Sequence, residues 1–152
     1  MIRTAAALGM VMLLTGCTSY RAPEFAVNAV RPTDRTDEGV AMEFVLDAKN
    51  ENDVALPLRE VDYTVELDGR TVFKGTRSAE ATLRRLGTQQ VTLPAVVNLA
   101  TEHPRTTGRV PYRIFGSVTY VTPGQLAEVL FDTGVRVPSV GFSQSGEVDM
   151  GQ

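Results

Sequence analysis

Val61-Asp62-Tyr63-Thr64-Val65-Glu66-Leu67-Asp68-Gly69 is the stretch that decides the fold. Val61, Tyr63, Val65 and Leu67 alternate with Asp62, Thr64 and Glu66, so an extended backbone puts the apolar side chains on one face and the polar ones on the other. That is the pattern of a half-buried strand. Asp68-Gly69 follows at once. This pair suits a two-residue type I′ turn because both central positions need positive φ, and Arg70 to Lys74 then returns as the antiparallel partner.

The same period recurs on both sides of the hairpin. In Ala41 to Lys49, the side chains of Met42, Phe44, Leu46 and Ala48 oppose Glu43, Asp47 and Lys49, with Val45 out of phase. Val91, Leu93, Ala95, Val97 and Leu99 alternate, as do Tyr112, Ile114, Gly116, Val118 and Tyr120. Ala127, Val129 and Phe131 form a further set after the break at Thr122-Pro123-Gly124. Phe25 to Val30, Ala79 to Leu86 and Val135 to Pro138 are further candidate segments, from which seven or eight strands in all are expected, while helical periodicity is almost absent. The expected fold is all-β, an immunoglobulin- or fibronectin-III-like antiparallel β-sandwich over residues 25–138. Residues 139–152, rich in Gly, Ser and acid with little to bury beyond Phe142 and Val148, are expected to be a disordered tail.

Composition narrows the function. A chain of 152 residues, 43% hydrophobic and 22% charged, fits one packed domain. Its net charge of −3 and lack of Lys/Arg runs supply no field for a phosphate backbone, so nucleic acid is not an expected partner. One Cys, one His and no Trp leave no internal disulfide and no thiolate–imidazole metal site, and no cofactor is expected.

The amino terminus reads as an export signal. Arg3 is followed by the uncharged apolar run Ala5 to Leu14, and Leu14-Thr15-Gly16-Cys17 closes it with small residues before the sole cysteine. A bilayer-spanning helix needs about 20 apolar residues, which this run does not reach. It resembles the bacterial lipoprotein signal, whose lipobox has Leu, a small residue, Gly or Ala, then Cys. That resemblance implies lipidation of the Cys17 thiol and cleavage between Gly16 and Cys17. Removing the first 16 of 152 residues leaves a mature chain of 136. Residues 1–16 are then the signal peptide, and 17–24 the lipidated Cys with a short tether to the membrane. Thr18, where Asp would imply inner-membrane retention, implies placement at the outer membrane facing the periplasm. Two or more acyl chains convert marginal membrane binding into stable anchoring.

A second resemblance covers Val40 to Pro138. It rests on Val45-Leu46-Asp47-Ala48-Lys49-Asn50-Glu51-Asn52, Leu56-Pro57-Leu58, the stretch Val61 to Gly69, Val72-Phe73-Lys74-Gly75, the alternation through Leu93-Pro94, and Pro111-Tyr112-Arg113-Ile114-Phe115-Gly116. In order and spacing these resemble the type 2 late embryogenesis abundant family, also called the water stress and hypersensitive response domain. Glu51 replaces the central Pro of the family's Asn-Pro-Asn turn, but Asn50 and Asn52 remain to bond the backbone. A helix that many members carry before the Tyr112 strand has only Ala100 to Val110 available, with Pro104 and Gly108 inside, so a loop or one helical turn is expected there. The resemblance implies a noncatalytic role in desiccation, cold or osmotic stress, with client proteins or membrane as partners.

Catalysis finds little material. His103 lies in Thr101-Glu102-His103-Pro104, where Pro104 favours extended backbone, and reads as a solvated loop histidine. Asp47, Asp62 and Glu66 fall on outward strand positions, without the closeness that separates carboxylate pKa values. Arg84-Arg85, placed in a strand, would point to opposite faces and form no concentrated patch. No enzyme is expected. The alternative to a stress protectant is a structural or adaptor lipoprotein that binds another envelope component. A carrier of apolar ligands would need a cavity between the sheets.

Overall fold

The computed structural model describes residues 20–99, 105, 107–135 and 137–151. Eight strands appear in chain order: β1 Glu24–Arg35, β2 Gly39–Asn50, β3 Leu56–Leu67, β4 Arg70–Ser78, β5 Thr82–Leu83, β6 Gly87–Asn98, β7 Arg109–Tyr120 and β8 Ser139–Asp149, with one helix, α1 Gln125–Asp132, between β7 and β8. They form two antiparallel sheets, one of three strands ordered β1-β2-β6 and one of five, β4-β3-β7-β8 with β5 added to β3. The architecture is the all-β sandwich read from the alternation.

The decisive hairpin forms as its sequence dictates. Val61, Tyr63, Val65 and Leu67 are buried, Leu67 pairs with Arg70, and Asp68 and Gly69 have φ of 50° and 76°, the left-handed values a type I′ turn requires. Val40, Met42, Phe44, Leu46 and Ala48 of β2 meet Ile114 and Val118 of β7 in one continuous core with Leu93, Ala95 and Val97 of β6. Aromatic side chains span the two sheets: Phe44 of β2 meets Tyr112 of β7 edge-on at 5.8 Å, and Phe25 of β1 lies 6.1 Å from Phe142 of β8. The Tyr63 hydroxyl donates across the core to the Pro94 carbonyl of β6. Burial pushes the Tyr63 phenol above its ordinary pKa, which keeps it a neutral donor.

Three expectations need correction. Ser139–Asp149 is a strand, not a disordered tail, and pairs with β7 from Thr119↔Ser139 to Arg109↔Asp149. Its Gly/Ser composition masks a strict period of two, in which Val140, Phe142, Gln144 and Val148 turn inward while Ser139, Ser143 and Ser145 face water. Ala127, Val129 and Phe131 lie on α1, not on a strand. Ala127, Leu130 and Phe131 are its half-buried positions, a spacing of i, i+3, i+4, and eight residues are too few to separate that period from two by inspection. None of the described residues of the expected strand Val135 to Pro138, namely Val135, Val137 and Pro138, is in a strand. Of Ala79 to Leu86, only Thr82–Leu83 pairs, with Leu56 and Pro57. The connection 100–108 falls mostly outside the described residues.

Two asparagines fasten one corner. Asn50, 1% exposed at the end of β2, donates through Nδ2 to the carbonyls of Val54 at 2.8 Å, Arg84 at 3.1 Å and Leu83 at 3.4 Å. Its Oδ1 accepts from the backbone N–H of Asn52 at 3.0 Å and from Asn52 Nδ2 at 2.8 Å. Asn52 also grips Arg21, donating to its carbonyl at 2.9 Å and accepting from its N–H at 2.8 Å, and its own carbonyl accepts from the Leu86 N–H at 2.9 Å. Three stretches distant in sequence meet here: the entry segment, the end of β2 with its turn, and the β5–β6 connection.

Two stability series check this account. A Cβ on Gly116 would lie 2.0 Å from the Asp62 carbonyl oxygen and 2.8 Å from Tyr63 Cα, both backbone atoms of β3, whereas one on Gly69 meets nothing within 4 Å. Gly116→Ala is therefore expected to lose at least roughly 1–3 kcal/mol, as overpacked interiors do, and Gly69→Ala about 1 kcal/mol from its positive φ alone. Asn50→Ala strands buried carbonyls and is expected to lose about 1–3 kcal/mol, against less than about 0.5 kcal/mol for the exposed Asn28→Ala. Urea midpoints at constant m value measure all four, and Gly116→Ala matching Gly69→Ala would refute the close β3–β7 approach.

Candidate functional site

The registers place both terminal features of the fold. Glu24 pairs with Lys49, Asn50 with Gly87, Leu58 with Tyr120 and Thr119 with Ser139. One end of the sandwich, where the chain enters at Tyr20, therefore carries the Asn50–Asn52 corner, the β4–β5–β6 connections and α1. The other end carries the Asp68-Gly69 hairpin and Thr36 to Glu38. Of the turn residues singled out by sequence, Asn50 and Asn52 come together at the entry end, and Asp68 and Gly69 lie at the opposite one. Cys17, Gly16 and His103 lie outside the described residues.

At the entry end, Arg21, Lys49, Asn50, Glu51, Leu86, Gly87 and Thr88 line an open cleft of about 430 Å³. Its charged groups neutralise one another: Glu51 binds Lys49 at 2.6 Å and Arg21 at 2.8 Å, and Lys49 also reaches Glu24 at 3.9 Å. The hydrogen bond to Lys49 holds the Glu51 carboxyl below its usual range, and the same bond raises Lys49. Lys49 is exposed and Glu51 half-buried, each committed to a partner of opposite charge, so the network orients the corner.

The acids read as outward are outward, and each serves a neighbour on its own sheet. Asp47 accepts from Asn28 at 2.7 Å and from Gln90 at 3.4 Å, bridging β1, β2 and β6. Asp62 accepts from the Thr76 hydroxyl. Glu66 faces Arg113 at 3.9 Å. Asp62 and Glu66, four strand positions apart, are separated by roughly 13 Å at the usual strand rise. Among the described residues, no three His, Cys, Asp or Glu side chains converge in a way that could hold a metal ion. A second shallow concavity, about 410 Å³, lies over the outer face of the five-stranded sheet above Gly75 and Gly116, where Asp62, Thr76, Lys74 and Phe115 surround backbone.

Sequence reasoning missed two features of the entry end. Arg84 and Arg85 stand in an irregular turn, not a strand, so the argument that they must point to opposite faces does not apply. Leu86, beside them, has φ of 48°, a left-handed conformation that favours glycine, and is 70% exposed. The Leu86-Gly87 pair was the available signal, with the left-handed residue one place before the glycine.

Comparison with known proteins agrees with this geometry. A family model described as late embryogenesis abundant protein matches residues 45–138, more than half of the chain. No curated protein matches. The solution structure of AT1g01470 from Arabidopsis thaliana is similar with a TM-score of 0.66 at 17% identity, covering 96% of this chain and 93% of that one. The solution structure of a putative late embryogenesis abundant protein, At2g46140.1, gives 0.65 at 21% identity over 86% of this chain and 72% of that one. A crystal structure of a protein from Archaeoglobus fulgidus gives 0.52 at 15% identity, over 86% and 97%. These likenesses show the shared sandwich, and the family match extends from the middle of β2 through the connection that follows α1. The chain belongs to the type 2 late embryogenesis abundant family.

Proposed function

We propose that this protein is a noncatalytic stress protectant, tethered by lipid on Cys17 to the outer membrane and facing the periplasm, that shields envelope proteins or membrane when water is withdrawn. The observation that carries the reading is the family match over residues 45–138, joined to a lipobox at Leu14 to Cys17. The surface is consistent with that role: Asp47, Asp62 and Glu66 are committed to amide, hydroxyl and guanidinium neighbours on their own sheets.

One observation favours the adaptor reading as runner-up. Among the described residues β6 pairs only with β2, and its free edge borders an open groove of about 410 Å³ between Arg77 to Thr82 and Gln89 to Leu93. Gln89 Oε1 is buried there without a hydrogen-bond partner. An unpaired edge of this kind accepts an extended segment of another protein. Affinity capture at normal and low water activity separates the two readings, because an adaptor retains a stoichiometric partner in both.

Replacing Cys17 with Ser is expected to leave uncleaved, mislocalised precursor and to abolish survival benefit on drying. Cleavage after Gly16 with sedimentation in outer membranes would overturn the tether. His103→Ala, Asp62→Asn and Glu66→Gln are each expected to leave both the thermal midpoint and protection unchanged. Loss of protection in any of them at an unchanged midpoint would overturn the noncatalytic reading.

A further inference from the structure

We infer that the entry end of the sandwich is a bilayer-docking surface, on which Leu86, Val129, Val135 and Val137 enter the headgroup region of an anionic membrane beside Arg84 and Arg85. The inference rests on the tether reading above and adds an orientation to it: the domain stands end-on against the lipid, with the Asp68-Gly69 hairpin pointing away.

Three independent observations meet at this end. The first is where apolar surface is left uncovered. Among the described residues, six large apolar side chains are exposed, and five of them, Tyr20, Leu86, Val129, Val135 and Val137, belong to the entry end; Val96 is the exception. Leu86 at 70% and Val135 at 73% are the most exposed of all. Apolar side chains gathered on one end of an otherwise polar domain mark a contact surface.

The second is backbone strain. Leu86 holds φ of 48° at the tip of its turn, where glycine would sit without penalty, and the Asn52 carbonyl pins its N–H at 2.9 Å. The fold keeps a bulky apolar residue in a conformation it disfavours and presents it to solvent, a conflict that marks function and not packing. Arg84 and Arg85 immediately precede it, both exposed, and neither meets a carboxylate among the described residues. Two unpaired guanidiniums beside an apolar tip complement an anionic headgroup layer with acyl chains beneath it.

The third is the length of the leash. Cys17 precedes Tyr20 by three residues, which span at most about 11 Å when fully extended. Arg21 is in turn clamped to Asn52 at 2.8 and 2.9 Å and to Glu51 at 2.8 Å. A lipid on Cys17 thus holds the entry end within reach of the headgroups.

The test uses the processed, lipidated full chain in vesicles of phosphatidylethanolamine and phosphatidylglycerol. With the only native cysteine converted to a thioether, Leu86→Cys, Val135→Cys and Asp37→Cys each introduce a single free thiol for an environment-sensitive nitrobenzoxadiazole label. Membrane association is expected to reduce iodide quenching several-fold at positions 86 and 135 and to leave the label at 37, on the far end, unchanged. Equal iodide access at all three positions overturns the docking surface. Protection at 86 and 135 that rises with protein concentration at constant lipid also overturns it, because a second copy of the chain would then be the cover. Intact mass identifies the separate failure, in which Cys17 carries no lipid and the tether reading itself is wrong. Leu86→Gly completes the test: it relieves the left-handed strain, so the thermal midpoint is expected to hold or rise while iodide access to the label at 135 increases. A midpoint that holds with no change in access would show that Leu86 does not touch lipid.

Discussion

The structure depends on the paired amides of Asn50 and Asn52. The two sheets share a core, but a core alone leaves open where the chain enters and how the irregular stretch after β4 is held. Side-chain amides close that gap because each supplies two donors and an acceptor with two lone pairs. Asn50 spends its donors on three carbonyls from two connections and its acceptor on Asn52. Asn52 then ties down Arg21 and Leu86. Buried polar groups of this kind tolerate little change, since any lost partner leaves another group dry and unpaired.

The second constraint lies in the middle of the larger sheet. Tyr63 faces Gly75 on β4 and Gly116 on β7, so two glycines flank the one aromatic that hydrogen-bonds across the core. At Gly116 the β3 backbone comes closer than any side chain allows. Gly146 on β8 does the same service for another ring, since a Cβ there would lie 2.8 Å from the Tyr112 hydroxyl oxygen. Small residues opposite large ones let the sheet seat its aromatics without widening the space between strands.

Much of this was legible in the sequence, and the reasons are local. The β3–β4 hairpin declared itself because alternation and turn chemistry agree over Val61 to Gly69. Asn50 and Asn52 could be read as a turn that bonds its own backbone, yet only the bonds within the pair and to Val54 are local. Those to Leu83, Arg84 and Arg21 span more than thirty residues and leave no trace in a short window. β8 was hidden by composition, because its outward serines, with Gly141 and Gly146, look like linker until Val140, Phe142 and Val148 are seen to fall on one face. For α1, Gly124 with φ of 125° and Pro123 before it start a helix too short for its period to show. The left-handed Leu86 left only the glycine after it as a signal; its N–H is held by the Asn52 carbonyl, a contact across 34 residues.

β8 carries a consequence for how the chain acquires its fold. It closes the five-stranded sheet at one edge, and there Gln144 reaches over to β1, accepting from the Val27 N–H at 2.7 Å across 117 residues of sequence. The earliest and the latest of the described strands must meet before that side of the sandwich closes. Such distant pairings form slowly, because loop closure precedes the contacts that reward it. A chain threaded through an export channel from its amino terminus presents β1 first and β8 last, so the sandwich stays incomplete until nearly all of it has crossed. Under the export proposed above, slow closure suits secretion: the topology that delays folding keeps the polypeptide threadable until its last strand arrives.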